Sequence, residues 1–315
     1  MNKSTPLREI SSIMQMTPQG AGKITRKLET SMKGNIRHLP PQTVRELFEQ
    51  RGFAYPKKNI LFHCLKGGAS KTTLAYNTAY RLSQLGTKVL LVDLDKQANA
   101  TRSFEITQPE RVFVDVVMGK CPLEDTIAPV SEFLDLVPSS FKNARIELEL
   151  INKKQNPQTF YEKIFSTLRP KYDVVIFDLP PDLNHNTYLC SIYASTICIP
   201  TNPDEYSVIG MRMTLESIQG IQDEYKNLNQ EVFIVWSKYD ARERNSFHYI
   251  TELRDIQNAT IMPVVVRADA TFKNAQAQKQ SVFEFSKKSN AREDIDILAQ
   301  ELIGLRDFFA PKANA

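Results

Sequence analysis

The sequence predicts an α/β protein built on a doubly wound, mostly parallel sheet and preceded by a small basic helical module. Two observations predict the sheet. Short β-rich runs alternate with helical stretches from Asn59 onward, and several runs, such as VLLV at 89–92 and VVIF at 174–177, are apolar at every position. Such strands are covered by helices on both faces of a parallel sheet. A third observation, a local excess of basic residues near the N-terminus, predicts the separate module.

Composition excludes several classes of protein. The chain has 315 residues, of which 42% are hydrophobic and 24% charged, as in globular proteins rather than disordered or collagen-like chains. No run of about 18 apolar residues is present to span a membrane, and the polar start lacks the apolar segment of a secretory signal. We therefore expect a cytoplasmic protein. The four cysteines form no CxxC pair, which predicts buried, reduced thiols.

Residues 1–58 form the first predicted domain. They contain 11 Lys and Arg but only 4 Asp and Glu, a net charge of +7, whereas the rest of the chain carries −3. Apolar residues at helical spacing predict three helices, over 7–14, from Thr17-Pro18 to about Met32, and from Pro40 to Gly52. Three short basic helices fit a helix-turn-helix or winged-helix unit that binds DNA, with a structural or dimerisation arm as the alternative. The stretch 53–58 is the predicted linker.

Residues 59–315 form the second predicted domain, in which seven strand candidates alternate with helical stretches. The strands are Asn59–Leu65, Val89–Val92, Phe133–Val137, Asp173–Phe177, Thr196–Pro200, Val232–Trp236 and Thr260–Val266. In a doubly wound fold, ligands bind at the carboxyl ends of the strands. Functional residues are therefore expected directly after each strand.

A phosphate-binding loop follows the first strand. The residues KGGASKTT at 66–73 lead into a predicted helix that Gly86 ends. Two glycines let the backbone approach a polyphosphate, the amides of the helix N-terminus point at it, Lys71 neutralises its oxygens, and the Thr72 hydroxyl can bind Mg²⁺. The usual pattern GxxxxGK[ST] is not met, because leucine and serine stand at its glycine positions. These residues predict a sheet of the P-loop NTPase type.

Two further strands end in carboxylates. Asp93 and Asp95 share one side of an extended segment, because they are separated by one residue. One carboxylate can organise Mg²⁺ and its waters while the other orients or deprotonates an attacking water. A polar strand end that makes turn hydrogen bonds is the alternative for this pair. Asp178 ends a buried apolar strand and precedes Pro180-Pro181.

These segments resemble the deviant Walker A ATPases and, within them, the ParA partition ATPases. The ParA loop usually reads KGGxGKTT, which KGGASKTT matches except at Ser70. The segment VDLDKQANAT at 92–101 is similar to the family's VDLDPQGNAT, and YDVVIFDLPP at 172–181 looks like its Walker B segment. The resemblance covers nearly all of residues 59–300. It implies an ATPase that uses ATP and Mg²⁺, with DNA segregation as its output.

The resemblance also implies roles for site residues. Lys66 matches the family's additional lysine, which reaches the nucleotide of the other subunit in a nucleotide-sandwich dimer. Thr72, Asp93 and Asp178 are expected to hold Mg²⁺, the two aspartates through water, and Asp95 is expected to orient the attacking water.

Hydrolysis is expected to depend on Lys66, Lys71 and Asp95, and Ser70 is expected to slow turnover or alter affinity. Lys238 and Asp240, in the segment WSKYD, are expected near the base, with a surface turn as the alternative. The complete set of expected nucleotide contacts is Lys66, Gly67, Gly68, Ala69, Ser70, Lys71, Thr72, Thr73, Lys238 and Asp240.

DNA contacts are expected on both domains. In the family, basic residues near the C-terminal strand bind non-specific DNA, and Arg267 and Lys273 occupy that stretch here. The basic module resembles the family's N-terminal extension, which binds operator DNA, with Lys23, Arg26 and Lys27 as candidates. The alternative for such residues is a solvated helix face. The resemblance further implies a nucleoid-associated homodimer, stimulated by a centromere-binding ParB-like partner.

Two other functions stay open from the sequence. One is an ATP-gated DNA-binding repressor with little hydrolysis. The other is a MinD-like membrane cycle, which requires a basic amphipathic C-terminal helix. The apolar face predicted over 297–309 is a poor candidate for that helix, because its only basic residue, Arg306, is outweighed by Glu301 and Asp307.

Overall fold

The fold contains a small antiparallel sheet near the N-terminus and a large sheet in the body of the protein. The computed structural model describes residues 4–153, 156–243, 258–311 and the single positions 246, 248, 249, 251 and 256.

The N-terminal module combines three helices with a three-stranded sheet. The helices are α1 (Leu7–Ile13), α2 (Pro18–Ile24) and α3 (Pro41–Gln50), and the strands are β1 (Thr5–Pro6), β2 (Ser31–Lys33) and β3 (Ile36–Leu39). The sheet has the order β1-β3-β2, and both pairings are antiparallel. A helix, a turn, a second helix and a β-hairpin therefore follow one another, and α3 comes after the hairpin.

The second helix is shorter than predicted. It ends at Ile24 rather than near Met32, and a 3-10 turn over Thr25–Lys27 leads into the hairpin. Two glycines weaken this helix, and the Thr25 hydroxyl donates to the carbonyl of Ala21, which competes with continued helical bonding. The predicted continuation to Met32 is wrong, because Met32 lies in β2.

The body is a doubly wound, mostly parallel sheet, which confirms the predicted fold class. Its strands are β4 (Lys58–Phe62), β5 (Val89–Asp93), β6 (Ala128–Ser131), β7 (Leu134–Val137), β8 (Val174–Asp178), β9 (Thr196–Thr201), β10 (Glu231–Tyr239) and β11 (Thr260–Arg267). The strand order is β11-β10-β9-β4-β8-β5-β7-β6, and only the β6–β7 pairing is antiparallel among these strands. The edge strand β6 escaped prediction because it is short, contains Pro129 and has no fully buried residue.

Helices cover both faces of this sheet. They are α4 (Lys71–Gln84), α5 (Asn99–Ser103), α6 (Phe113–Val117), α7 (Ile146–Lys153), α8 (Phe160–Phe165), α9 (His185–Tyr193), α10 (Glu205–Glu224), α11 (Ala270–Ala277), α12 (Val282–Phe285), α13 (Asn290–Leu302) and α14 (Leu305–Phe309), with further 3-10 turns at Leu123–Thr126, Phe141–Arg145 and Arg169–Lys171. One hydrophobic core joins α4, α13 and the N-terminal module to the sheet. A second core joins the five helices from α6 through α10 to the sheet.

The N-terminal module packs against the end of α4. Arg45 donates to the carbonyl of Gly86 at 2.9 Å and to the buried carboxylate of Asp173 at 2.6 Å. Gly86 has a φ of +81°, and a Cβ there would lie 2.7 Å from the Arg45 backbone nitrogen. Only glycine fits this close approach. Gly86 therefore ends α4 and also allows α3 of the module to pack against that end.

The C-terminal segment forms two helices, and the second of them packs against the N-terminal module and the segment that follows it. Gly304, with a φ of +69°, separates α13 from α14, so the predicted helix over 297–309 is broken. The rings of Phe308 and Phe309 pack against Phe53 and Phe48, with centroids 5.3 and 5.5 Å apart. Within the part of the chain that is described, no helix is long and apolar enough to cross a membrane.

Candidate functional site

The loop between β4 and α4 is shaped to surround a phosphate group. Nothing lies within 4 Å of the position a Cβ would take at Gly67 or Gly68. Gly68 and Ser70 have φ values of +77° and +68°, and α4 starts at the next residue, Lys71. The loop therefore presents open backbone at a helix N-terminus, which favours an anion. Ser70 holds a left-handed conformation that a residue with a Cβ rarely adopts.

A cavity of about 840 Å³ opens above this loop at the carboxyl ends of the strands. On one side it is lined by residues 67–74, and on the other by residues 266–270 with Phe272, Lys273 and Gln276. Asp95 and Lys238 also line it. This volume suits a ligand of nucleotide size.

The Lys71 ammonium group lies inside the loop. Its Nζ donates to the carbonyl oxygens of Cys64 at 2.9 Å and Lys66 at 3.1 Å. Burial lowers the pKa of Lys71, and the negative charges of Asp178 and Asp95 act in the opposite direction. A phosphate beside this ammonium group would supply the opposite charge that its neutral carbonyl partners do not.

Asp178 indicates the position of a cation. It ends β8, is fully buried, and neither of its carboxylate oxygens has a well-formed hydrogen bond within the described structure. Burial raises its pKa well above the usual value, the nearby Asp93 raises it further, and the Thr72 hydroxyl lowers it only in part. Oxygen donors of this kind suit Mg²⁺. Thr72 and Asp178 therefore fit the expected cation.

Asp93 accepts hydrogen bonds from the segment that follows it. Its Oδ2 accepts hydrogen bonds from the backbone NH of Thr101 at 2.9 Å and from its hydroxyl at 2.7 Å, and its Oδ1 accepts from the NH of Asp95 at 3.2 Å. Burial raises the pKa of Asp93 to about 7. Asp93 therefore holds the segment 95–101 in place, and its expected contact with Mg²⁺ through water stays a prediction.

Asp95 lines the cavity together with the loop. Its Oδ1 accepts from the NH of Gln97 at 2.9 Å. The Ser139 hydroxyl donates to its backbone carbonyl at 2.6 Å. The carboxylate is thus anchored on one oxygen while its residue borders the cavity, an arrangement that can orient a water.

Lys66 points away from the cavity. Its Nζ lies 2.5 Å from Oδ1 of Asp204 and 2.8 Å from the Ser207 hydroxyl, both at the start of α10. Its Cβ lies 3.4 Å from where a side chain would begin at Gly210. Burial favours a raised pKa for Asp204, but the hydrogen bonds from Lys66 and Ser207 outweigh burial and lower it.

The cavity lining also contains residues that the sequence did not predict. Val266, Phe272 and Gln276 line the cavity, and the Lys238 Nζ donates to the carbonyl of Gly68 at 2.7 Å. Lys238 therefore contacts the loop, and its expected contact with the base stays a prediction. The available signal was the rule that ligands bind at the carboxyl ends of parallel strands, because these residues lie at or after the end of β11.

Two residues that were expected to contact ligands have partners within the chain. The Arg267 guanidinium donates to Asp294 at 2.5 and 3.0 Å and to Glu293 at 2.8 Å, which raises its pKa. Its expected contact with DNA stays a prediction. Asp240 is not among the residues that line the cavity, and its carboxylate accepts hydrogen bonds from Arg242, which lower its pKa to about 2.

The remaining basic candidates lie on exposed surface. Lys273 is exposed at the cavity rim. Lys23 is exposed on α2, and the exposed Gln19 precedes it by four residues on the same side of that helix. Arg26 is exposed in the 3-10 turn that follows α2. The side chain of Lys27 lies outside the described residues.

The fold and the loop define a P-loop nucleoside triphosphatase that has a second lysine before the glycines of its loop. The chain belongs to the ParA family of P-loop ATPases. It matches the family described as AAA domain over residues 57–234. It is 31% identical over 193 residues to a ParA family protein of Mycoplasma pneumoniae, covering 57% of this chain and 70% of that one.

Other similarities agree with this assignment. The chain is 28% identical over 246 residues to the cell division protein PomZ of Myxococcus xanthus, covering 77% of both proteins. Its fold is similar to that of cobyrinic acid a,c-diamide synthase from Mycobacterium smegmatis, whose structure contains an ATP analogue and magnesium. That comparison has a TM-score of 0.67 and 21% identity and covers 78% of this chain and 94% of the synthase.

Proposed function

We propose that this ATPase partitions DNA. It binds ATP and Mg²⁺, closes into a dimer over the nucleotide, binds DNA without sequence preference, and hydrolyses ATP when a centromere-binding ParB-like partner stimulates it. The observation that carries the proposal is the position of Lys66, beside the nucleotide cavity but outside its lining. The ATP analogue and magnesium in the similar synthase structure support ATP and Mg²⁺ as the cofactors.

Each of the described site residues has its own proposed role in phosphoryl transfer. The loop amides and Lys71 bind and orient the phosphates. Thr72 and Asp178 would hold Mg²⁺, which neutralises charge that develops on the phosphate oxygens. Asp95 orients water, and Asp93 fixes the segment that carries Asp95.

We propose that Lys66 contacts the nucleotide bound by a second copy of the chain. The Lys66 side chain contacts the start of α10, a helix on which Tyr206, Ile209 and Met213 are 74%, 47% and 50% exposed. Their spacing places them on one side of the helix. An exposed apolar stripe beside Lys66 supports a dimer in which each Lys66 leaves Asp204 and reaches the partner's nucleotide.

DNA binding is tested with a duplex of arbitrary sequence. We expect the wild type to bind a fluorescent duplex with a slowly hydrolysed ATP analogue and Mg²⁺, and to bind it far more weakly with ADP. Affinity should fall steeply with salt, since contacts to phosphates release counterions. Equal binding with ATP analogue, ADP and no nucleotide would contradict the proposal. We place the DNA-bound form in the cytoplasm, on the nucleoid.

A second candidate function is ATP-gated repression of transcription. The observation that favours it is the exposed row of Gln19, Lys23 and Arg26, which carries groups able to contact base edges and phosphates. Competition between duplexes from upstream of its own gene and random duplexes, together with steady-state hydrolysis, separates the two functions. A repressor binds one duplex preferentially and hydrolyses little ATP, whereas a partition ATPase shows stimulated hydrolysis.

A further inference from the structure

A second cavity, of about 420 Å³, lies at the junction of the N-terminal module and the body. The module contributes the start of α1 and the hairpin, including Arg8, Lys33 and His38. The body contributes the end of α4 and the region of α12 and α13, including Lys287 and Arg292. This cavity shares no lining residue with the nucleotide cavity.

The charge of this cavity is positive. Glu9 is the only acid among the described residues that line it. Its carboxylate is already paired with Arg292, at 2.7 and 2.9 Å, and with the buried Arg81 at 3.2 Å. Arg81 in turn donates to Asp296 at 2.6 Å. These two arginines and two carboxylates balance one another.

Two of the other cations of the cavity are not balanced in this way. Arg8 and Lys287 are exposed and form no ion pair within the described part of the chain. Lys33 also lines the cavity, and its Nζ donates to the hydroxyl of Ser4 at 2.9 Å. Like charges that converge on one cavity repel each other unless an anion lies between them.

The remaining lining indicates what kind of anion fits. His38 and Gln84 provide polar groups, and burial together with the charges of Lys33 and Arg8 lowers the pKa of His38. Ile36 and Phe283 provide apolar surface. Lysine and arginine side chains around such a wall suit phosphate groups attached to a small organic part.

We propose that the junction cavity binds a small ligand with two or more phosphate groups, and that this ligand fixes the N-terminal module against the body. A phosphate chain would contact Arg8 and Lys33 from the module and Lys287 from the body at the same time. Binding would thus require the docked arrangement of the two parts. The proposal concerns a site separate from the nucleotide cavity and does not depend on the partition function.

The test removes the known competing site first. Lys71→Ala disables the phosphate loop, and the full-length variant is titrated calorimetrically with sodium tripolyphosphate in the absence of Mg²⁺. We expect saturable binding at one site. Adding Arg8→Ala and Lys287→Ala should weaken it about tenfold or more. Adding Lys163→Ala and Lys226→Ala, which removes two exposed charges elsewhere, should leave it within about twofold.

Circular dichroism and thermal unfolding establish that each variant is folded. If Lys71→Ala does not fold, the same titration is made on protein with the wild-type loop saturated with Mg²⁺ and ADP. The absence of saturable tripolyphosphate binding, or equal losses in both double variants, would overturn the proposal. If a DNA duplex binds the protein only when Arg8 and Lys287 are present, and tripolyphosphate does not bind, these side chains contact DNA. That result would also overturn the proposal.

Discussion

The ammonium group of Lys66 lies 2.5 Å from the carboxylate of Asp204 in the same chain. A lysine in this arrangement cannot contact a partner's nucleotide until that ion pair opens. Asp204 also caps α10, accepting a hydrogen bond from the NH of Ser207 at 3.0 Å. In the proposed dimer, Lys66 would have to break this ion pair before it could contact the partner's phosphate oxygens, so the ion pair would oppose dimerisation.

Asp204→Asn should promote the ATP-bound dimer. Asparagine keeps the cap of α10 but removes the charge that holds Lys66. The half-saturating ATP concentration for dimerisation, measured by light scattering, should fall about threefold to tenfold. Glu205→Gln is the matched control, because it removes an exposed charge from the neighbouring residue and should have no effect. A weaker dimer in Asp204→Asn would show that Asp204 supports the interface rather than opposing it.

Asp95→Ala should stop hydrolysis but spare ATP binding. The turnover number should fall about 10²-fold or more, because the attacking water loses its orienting carboxylate. The affinity for a fluorescent ATP analogue should change little, since the loop and Lys71 are intact. Lys96→Ala, a change at the next, exposed residue, serves as the control. Parallel loss of binding and hydrolysis would remove Asp95 from its assigned role.

Ser70→Gly should stabilise the protein and speed hydrolysis. Glycine adopts the φ of +68° without the strain that a Cβ brings, which is worth about 1 kcal/mol and about 2–4 °C in Tm. Ser70→Ala keeps the Cβ but loses the hydroxyl, so it tells which atom matters. Thermal unfolding and steady-state phosphate release measure the two effects. If Ser70→Gly lowers both, the serine contributes a contact that outweighs the strain.

Asp178→Asn should stabilise the nucleotide-free protein at high pH. The pKa of Asp178 is raised in the folded chain, so folding favours its protonated form, and stability falls as pH rises from the unfolded value of about 3.9 through the folded one. The variant has no charge there, and its unfolding free energy at pH 8 should exceed that of wild type by about 1–3 kcal/mol.

Urea unfolding at pH 5 and pH 8, without nucleotide, checks this prediction. The difference between the two proteins should shrink at pH 5, because the raised pKa of Asp178 favours its protonated form as the pH falls. The same variant should lose the additional stability that ATP and Mg²⁺ confer on the wild type. An equal difference at both pH values would show that the carboxyl does not titrate in this range.

The central sheet and the phosphate loop were predictable because both depend on local sequence. Apolar runs such as VLLV specify buried strands, and parallel strands bring their carboxyl ends to one edge. The loop, Asp95 and Lys238 line one cavity at this edge. The N-terminal hairpin was missed, because β2 is exposed throughout and the apolar residues near it fit a helix equally well.

The partners of the site residues were not predictable from the sequence. Asp93 follows a strand as a metal ligand would, and Thr101, eight residues later, donates to its carboxylate. Arg267 pairs with Asp294, 27 residues away, and Lys66 pairs with Asp204, 138 residues away. Spacing along the chain does not reveal which of several carboxylates a basic side chain will meet. That choice is made only when the helices pack on the sheet.

The most direct test of the account is the molecular mass in solution with ATP, ADP and no nucleotide, by size-exclusion chromatography with light scattering. We predict a dimer with ATP and Mg²⁺ only, and a monomer in all conditions for Lys66→Ala. A mass that does not depend on nucleotide, or an ATP-dependent dimer that persists in Lys66→Ala, would contradict the claim that Lys66 leaves Asp204 to complete the partner's site.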